Sequence, residues 1–327
     1  MNKKNLAITS IIGVTLFCGG YLYGKEVGRT LPMTSKSYST NKVIATVGDV
    51  DIKEKEIKDR MEVLFYINRK DEMSDDEIFA YESSFMDYIT TTEMLSLEAK
   101  SEGIEINDED LNLEYEILMS SIEQTFNITE DNILKDIKIS KTDILNSLEK
   151  EMLSTIYIGE ASNITEDEAS EYYDANKEEF FIVQASHILI SNECEDGEHT
   201  CSESGELSEE EQQERLDKAN DILKQANAGV DFSYLASEYS DDISGAYGGD
   251  LGYFSEGQMV VEFEDAVFNM EVGDISDIVE TDFGYHIIKK TDETYHEFDT
   301  VKEDLIYTLS YEKQSKLLND LSEKYGV

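Results

Sequence analysis

Four histidines occur in the chain: His187, His199, His286 and His296. Two of them lie in the middle of short apolar runs, Ser186-His187-Ile188-Leu189 and Tyr285-His286-Ile287-Ile288. Imidazole is the side chain that titrates nearest neutrality, and these two fall on two predicted strands. Taken singly, each is most simply a hydrogen-bonded core residue, and the surrounding pattern has to decide. A second cluster is Cys194, His199 and Cys201. In an oxidising compartment the two cysteines would close a short loop as a disulfide. Three ligand types within eight residues, lacking a fourth, make a weak zinc signal, so a loop staple or two unpaired thiols is the reading kept and no metal is expected.

The elements that must position the two histidines follow from apolar spacing. The run Phe181 to Ile190 is β-rich and predicts a strand carrying His187. Ser208-x-x-Glu211 opens a helix ending near Gly229, and Asp231 caps a shorter one through Tyr239. After a glycine-rich loop, Leu251 to Phe254 predicts a strand and Glu262 to Met270 a helix. Ile275 to Thr281 and Tyr285 to Lys290 predict two closing strands, the last bearing His286. Upstream, Val43 to Val47 and Val50 to Ile52 flank the turn dipeptide Gly48-Asp49 and read as a hairpin. Helical stripes follow at Ile78, Tyr81, Phe85, Tyr88, Thr92, Leu95 and Ala99, at Leu111, Tyr115, Leu118 and Ile122, and at Ile144, Leu148, Met152 and Ile156. Thr165-x-x-Glu168 is a capping box for another helix towards Asn176. Phe298 to Tyr325 returns to helical spacing and must bury its stripe somewhere; the helical module is the available partner.

The chain has 327 residues and a formal charge of −46. Its first 30 residues carry +3, leaving −49 on the remainder. Such a surface repels phosphate backbones and anionic headgroups, which excludes nucleic acid as a partner and excludes peripheral membrane binding beyond the N-terminus. A solvated, aggregation-resistant surface is the simplest use of the charge; attraction of basic, unfolded clients is the sharper one. Asn5 to Gly24 is uncharged for 20 residues and flanked by Lys3-Lys4 and Lys25, long enough for a membrane-spanning helix. No small-x-small cleavage site follows it, and Thr15-Leu16-Phe17 before Cys18 fits lipid processing poorly. An uncleaved anchor over 1–24 is preferred, followed by a Ser/Thr-rich linker over 25–41 that holds the only proline, Pro32.

The ordered motifs of the second half resemble the parvulin-type peptidyl-prolyl isomerases over roughly Ala185 to Thr291. They are Ser186-His187-Ile188-Leu189, Tyr239-Ser240-Asp241-Asp242, Gly248-Gly249-Asp250-Leu251-Gly252-Tyr253-Phe254, Gly257-Gln258-Met259, Phe263-Glu264-Asp265-Ala266-Val267-Phe268 and Thr281-x-Phe283-Gly284-Tyr285-His286-Ile287-Ile288. The resemblance implies that His187 and His286 are paired beneath an active site. It implies that Asp242 stands where relatives carry Cys or Asp, that Thr281 joins the hydrogen-bond network, and that Gln258 lines the groove. Leu251, Met259 and Phe263 would form the apolar pocket for a proline ring. No cofactor is implied. Phosphate-directed relatives carry basic residues after the first strand, whereas this loop reads Asn192-Glu193-Cys194-Glu195-Asp196-Gly197-Glu198 and should refuse phosphorylated substrates.

The flanks, through Val43 to Asp49, Glu98-Ala99-Lys100-x-x-Gly103-Ile104 and Tyr172-Tyr173-x-x-Asn176, look like the chaperone portion of extracytoplasmic foldases of the PrsA and SurA type, which hold exported clients in a helical cradle. The expectation is therefore an α+β chain: an all-helical chaperone domain over 42–180 and a parvulin domain over 181–292 with a four-stranded antiparallel sheet. A C-terminal helix over 293–327 packs back on the chaperone part, and an N-terminal transmembrane helix precedes the whole. The function implied is an extracytoplasmic foldase, anchored in the cell membrane, that isomerises X-Pro bonds in unfolded exported proteins. A holdase with a degenerate parvulin domain is the first alternative. A calcium-binding acidic protein ranks last, since no regular D-x-D-x-D-G spacing appears. The sequence leaves the oligomeric state open, a homodimer included.

Overall fold

The computed structural model describes residue 39 and residues 41–67, 74–137, 139–192 and 207–327. The anchor and most of the linker, the Cys194 and Cys201 pair, His199 and the acidic loop lie outside the described residues. Among the described residues no helix is long and apolar enough to cross a membrane. Two compact units emerge. One comprises described residues up to Ile164 together with Tyr307–Val327; the other is Thr165–Ile306.

The first unit begins with a hairpin, β1 (Val43–Val47) and β2 (Val50–Lys53), paired antiparallel about Gly48. Four long helices follow: α1 (Glu54–Ile67), α2 (Asp75–Ser101), α3 (Asp108–Phe126) and α4 (Lys141–Ala161). Their starts are written in the sequence. Ser74 with Glu77 and Ser140 with Asp143 form reciprocal capping boxes, and Asn107 accepts from the Asp110 N–H, so α2, α3 and α4 each begin with a capped N–H. The predicted stripe on α2 is buried at Ile78, Thr92, Leu95 and Ala99. It joins Val47, Ile52, Ile57 and Met61 in one core, while Tyr115, Leu118, Ile122 and Leu148 form a second with Val63, Ile133 and Ile139.

The second unit contains α5 (Glu166–Ala175), β3 (Phe181–Ser191), α6 (Glu209–Asn227), α7 (Phe232–Tyr239), β4 (Asp250–Phe254), α8 (Val261–Phe268), β5 (Val279–Thr281) and β6 (Gly284–Tyr295). Its sheet is four-stranded and antiparallel, in the order β4-β3-β6-β5. Period-2 alternation divides the side chains between two faces. Ile188, Ile190, Tyr285 and Ile287 pack against α6 and α7, and Val183, Ala185 and Ile288 pack against Phe263 and Val267 of α8.

Two boundaries differ from expectation. The unit starts at Thr165 rather than 181 and ends at Ile306 rather than 292. Tyr173 of α5 packs its ring on Phe180 and Phe298 and donates its hydroxyl to the His296 carbonyl, which ties α5 to the far end of the sheet. The segment from Ile275 to Ile278, read as strand, makes only an isolated bridge from Ile275 to Lys289 before the short β5. The last helix, α9 (Phe298–Tyr325), starts among residues of the second unit and finishes in the first. There Leu321 enters the core, Lys324 pairs with buried Glu98 at 2.6 Å, and the Tyr325 hydroxyl donates to the same carboxylate at 2.8 Å.

Candidate active site

The register of β3 and β6 decides where the histidines meet. His187 stands opposite Ile288 and His286 opposite Leu189, so the two are diagonal neighbours on the α8 face of the sheet. Both are buried, at 6% and 5% exposure. Their rings stack with centroids 5.4 Å apart, and their Nδ1 atoms lie 3.2 Å apart. Val279 of β5 sits opposite His286, which brings Thr281, two residues on, to the same face.

The Thr281 hydroxyl accepts from the Phe283 N–H at 3.1 Å and lies 2.8 Å from Nε2 of His286. On the other side of the ring, Nδ1 of His286 meets Nδ1 of His187, so a proton on one of the two bridges the pair. Nε2 of His187 faces Oδ1 of Asp242 at 3.2 Å, close but not aligned as a good hydrogen bond.

Asp242 is held by its loop. Its Oδ1 accepts from the Ser244 backbone N–H at 2.8 Å, which caps the single turn Ile243–Tyr247. The loop is tied to β3 in turn: Ser240 Oγ accepts from the Leu189 N–H and the Asp242 N–H, and the Asp241 N–H donates to the Leu189 carbonyl. Gly249 closes the far side with φ of +80°, where a Cβ would stand 2.2 Å from the His187 carbonyl oxygen. Only glycine permits this approach, and the His187 N–H donates to the Gly249 carbonyl at 2.9 Å.

Electrostatics separate the members. Burial works against the charged form of Asp242, but Ser244, by its backbone N–H and adjacent hydroxyl, and then the facing His187 outweigh it and hold the carboxyl below the usual aspartate range. The Ser244 hydroxyl itself has no aligned partner, so the N–H and His187 are the contacts the geometry supports. Burial pushes His286 down to about 4, aided by neighbouring His187 and opposed by Asp242, so it is neutral near pH 7. The result is a carboxylate, 31% exposed, above two buried imidazoles.

The apolar residues line up beside it. Phe263 is buried and sets its edge against both imidazoles, at 5.8 Å from His187 and 5.6 Å from His286. Leu251 and Met259 are half-buried and pack on the same cluster. Gln258 is exposed and gives its carbonyl to the Ser255 N–H at 2.9 Å; among the described residues no contact joins it to the histidine pair. Ser240 was not singled out as a site residue by sequence reasoning. Its signal was present in Ser240-Asp241-Asp242, because a serine two residues before an N–H it can accept from is a turn former.

The chain is similar in sequence to known proteins. Residues 172–294 match the PPIC-type PPIASE domain family. The chain is 32% identical over 243 residues to a foldase protein PrsA of Caldanaerobacter subterraneus subsp. tengcongensis, covering 73% of this chain and 65% of that one. It is 32% identical over 255 residues to the foldase protein PrsA of Oceanobacillus iheyensis, covering 73% of this chain and 75% of that protein. With several other foldases of that name the matched stretch spans about half of their length. A crystal structure of peptidylprolyl isomerase (PrsA) from Bacillus cereus superposes with a TM-score of 0.40 at 23% identity, covering 88% of this chain and 94% of that chain. Identity of about a third over three quarters of a relative, with the isomerase-domain match falling on the sheet that pairs the histidines, places this chain in the PrsA foldase family.

Proposed function

We propose that the chain is an extracytoplasmic foldase that catalyses cis-trans isomerisation of X-Pro bonds in exported proteins and assists their folding. The observation that carries this reading is Asp242 held as a carboxylate over the His187–His286 pair, beside the apolar cluster of Leu251, Met259 and Phe263.

The chemistry needs no covalent step. An amide resists rotation by about 18–20 kcal/mol because resonance shortens its C–N bond. X-Pro bonds populate both isomers but exchange over tens to hundreds of seconds, so a catalyst need only favour the twisted state. In that state the proline nitrogen turns pyramidal and the carbonyl regains double-bond character. Leu251, Met259 and Phe263 hold the ring while the carbonyl turns near Asp242, whose charge is matched to the altered dipole. His187 and His286 act through Asp242: they fix its orientation and its ionisation, and Thr281 orients His286. Gln258 borders the groove. An N-terminal helix over Asn5 to Gly24 holds the foldase at the membrane, consistent with 20 uncharged residues between lysines.

A protease-free prolyl isomerase assay on the soluble part tests the reading. Asp242→Ala is expected to lower kcat/KM by about a hundredfold. Turnover unchanged by that substitution would remove Asp242 from the mechanism.

A further inference from the structure

Two large apolar side chains stand in solvent beside the Asp242 carboxylate, and neither the core nor the proline pocket uses them. Ile243 follows Asp242 in the chain and is 86% exposed; Phe283, in the turn between β5 and β6, is 55% exposed. The backbone brings them to the two sides of one short stretch, the end of β3. On one side the carboxylate of Asp241, two residues before Ile243, accepts from the Ser191 N–H at 2.9 Å. On the other the Phe283 carbonyl accepts from the Asn192 N–H at 2.8 Å, and Gly284 stands opposite Ser191 in the strand register. That turn is pressed on β3: Gly284 has φ of +137°, and a Cβ there would meet the Ile190 carbonyl oxygen at 2.2 Å.

A single exposed apolar side chain is ordinary on a protein surface. These two differ in what carries them. Ile243 is bonded to Asp242, and the Phe283 N–H donates to the Thr281 hydroxyl, which lies against His286. The stretch from Ile243 to Gly249 also holds no charged residue, although the chain as a whole carries −46. In a substrate whose proline ring lies on Leu251, Met259 and Phe263, the carbonyl that turns belongs to residue X. The X side chain branches from the carbon bonded to that carbonyl, and consecutive Cα atoms are about 3.8 Å apart, so a carbonyl near Asp242 brings the X side chain within reach of Ile243. The ring and the X side chain therefore fall on opposite sides of the carboxylate.

We propose that Ile243 and Phe283 form the subsite for residue X and select large apolar side chains there, Leu, Ile, Met or Phe, over polar and acidic ones. The inference rests on the isomerase reading, which places the substrate. Neither residue touches the bond that rotates. Contacts made equally before and during rotation lower KM and leave kcat in place, so the preference belongs in KM.

The test uses the full chain and peptides acetyl-Ala-X-Pro-Ala-amide with X as Leu, Ser, Glu or Ala. Turnover is followed by NMR exchange, and each Kd is read from the Met259 methyl signal. The Leu peptide should exceed the Ser peptide by about fivefold in kcat/KM, the effect of partly burying one aliphatic side chain. Ile243→Ser should bring the Leu peptide towards the level of the Ser peptide through KM, while the Ala peptide is turned over as before, which shows the variant folded. Ile243→Lys should raise turnover of the Glu peptide above its native value. Tyr247→Ser, at another exposed position of the same turn, should leave the order of the peptides intact. Native turnover indifferent to X, or a Leu preference that survives Ile243→Ser combined with Phe283→Ser, overturns the proposal. Turnover of none of the peptides would defeat the isomerase reading instead, and the order of Kd values then judges the subsite by the same comparisons.

Discussion

At the scale of single residues, one carboxylate stands over two buried imidazoles, of which His286 is held uncharged near pH 7 by burial. The Asp242 loop gives the carboxylate a second task, since its Oδ1 caps the following turn through the Ser244 N–H. Asp242→Asn keeps that acceptor and loses only the charge. We expect it to retain the thermal stability of the native chain while lowering kcat/KM at least tenfold; equal losses in both would make Asp242 a structural cap and nothing more. His286 supplies a pH signature. Its folded value of about 4 lies below the ordinary 6.5, so the unfolded state binds the extra proton first and stability is lost as pH falls from about 6.5 towards 4. Between pH 7.5 and pH 5 the urea midpoint should drop by the equivalent of roughly 2 kcal/mol. His286→Phe should flatten that slope, whatever its cost at pH 7.5. The pairing of His187 with His286 was legible in the chain because both sit mid-strand within ordered motifs. The contact of Thr281 with the Phe283 N–H was not, since it closes across a two-residue turn.

At the scale of elements, local signals fixed most helix starts and far fewer strand ends. Thr165 with Glu168 and Ser208 with Glu211 form the reciprocal caps that their spacing predicts, and Asp231 caps α7. The end of β6 was hidden. Lys290 looks like the polar stop of an apolar strand, yet it is 1% exposed and the strand continues to Tyr295. Its ammonium donates to the Met270 carbonyl at 2.9 Å and pairs with Glu293 at 2.7 Å, so burial is compensated by partners no window of sequence contains. The same holds for α9, whose residues Lys324 and Tyr325 converge on buried Glu98, more than 200 positions earlier. Burial works against the charge of Glu98, but the contacts from Lys324 and Tyr325 outweigh it and hold its carboxyl below the usual range. Glu98→Ala should therefore lower the denaturation midpoint of the first unit, with prolyl turnover on a short peptide left unchanged. An unshifted midpoint would show that the pair contributes no more than an exposed one.

At the scale of the whole molecule, the charge is what any approaching peptide meets. A surface of net −46 disfavours acidic segments at every approach, and the effect is screened beyond about 8 Å at physiological salt. A phospho-Ser-Pro peptide should be turned over more slowly than its unmodified form, with the gap narrowing as salt rises. Faster turnover of the phosphopeptide would contradict the charge argument. The division between units was only partly readable, because the expected borders followed changes of periodicity whereas the packing follows Tyr173 and its aromatic partners.

The discontinuity of the first unit has a consequence in time. The isomerase unit, Thr165–Ile306, is contiguous and all of its residues are available once the chain has emerged that far. The helical unit still lacks Leu321, Lys324 and Tyr325 at that moment, and its core stays open until those residues have emerged. Emergence of the chain from its N-terminus thus imposes an order of folding: the contiguous unit, which carries the histidine pair, can close first, and the discontinuous helical unit closes last.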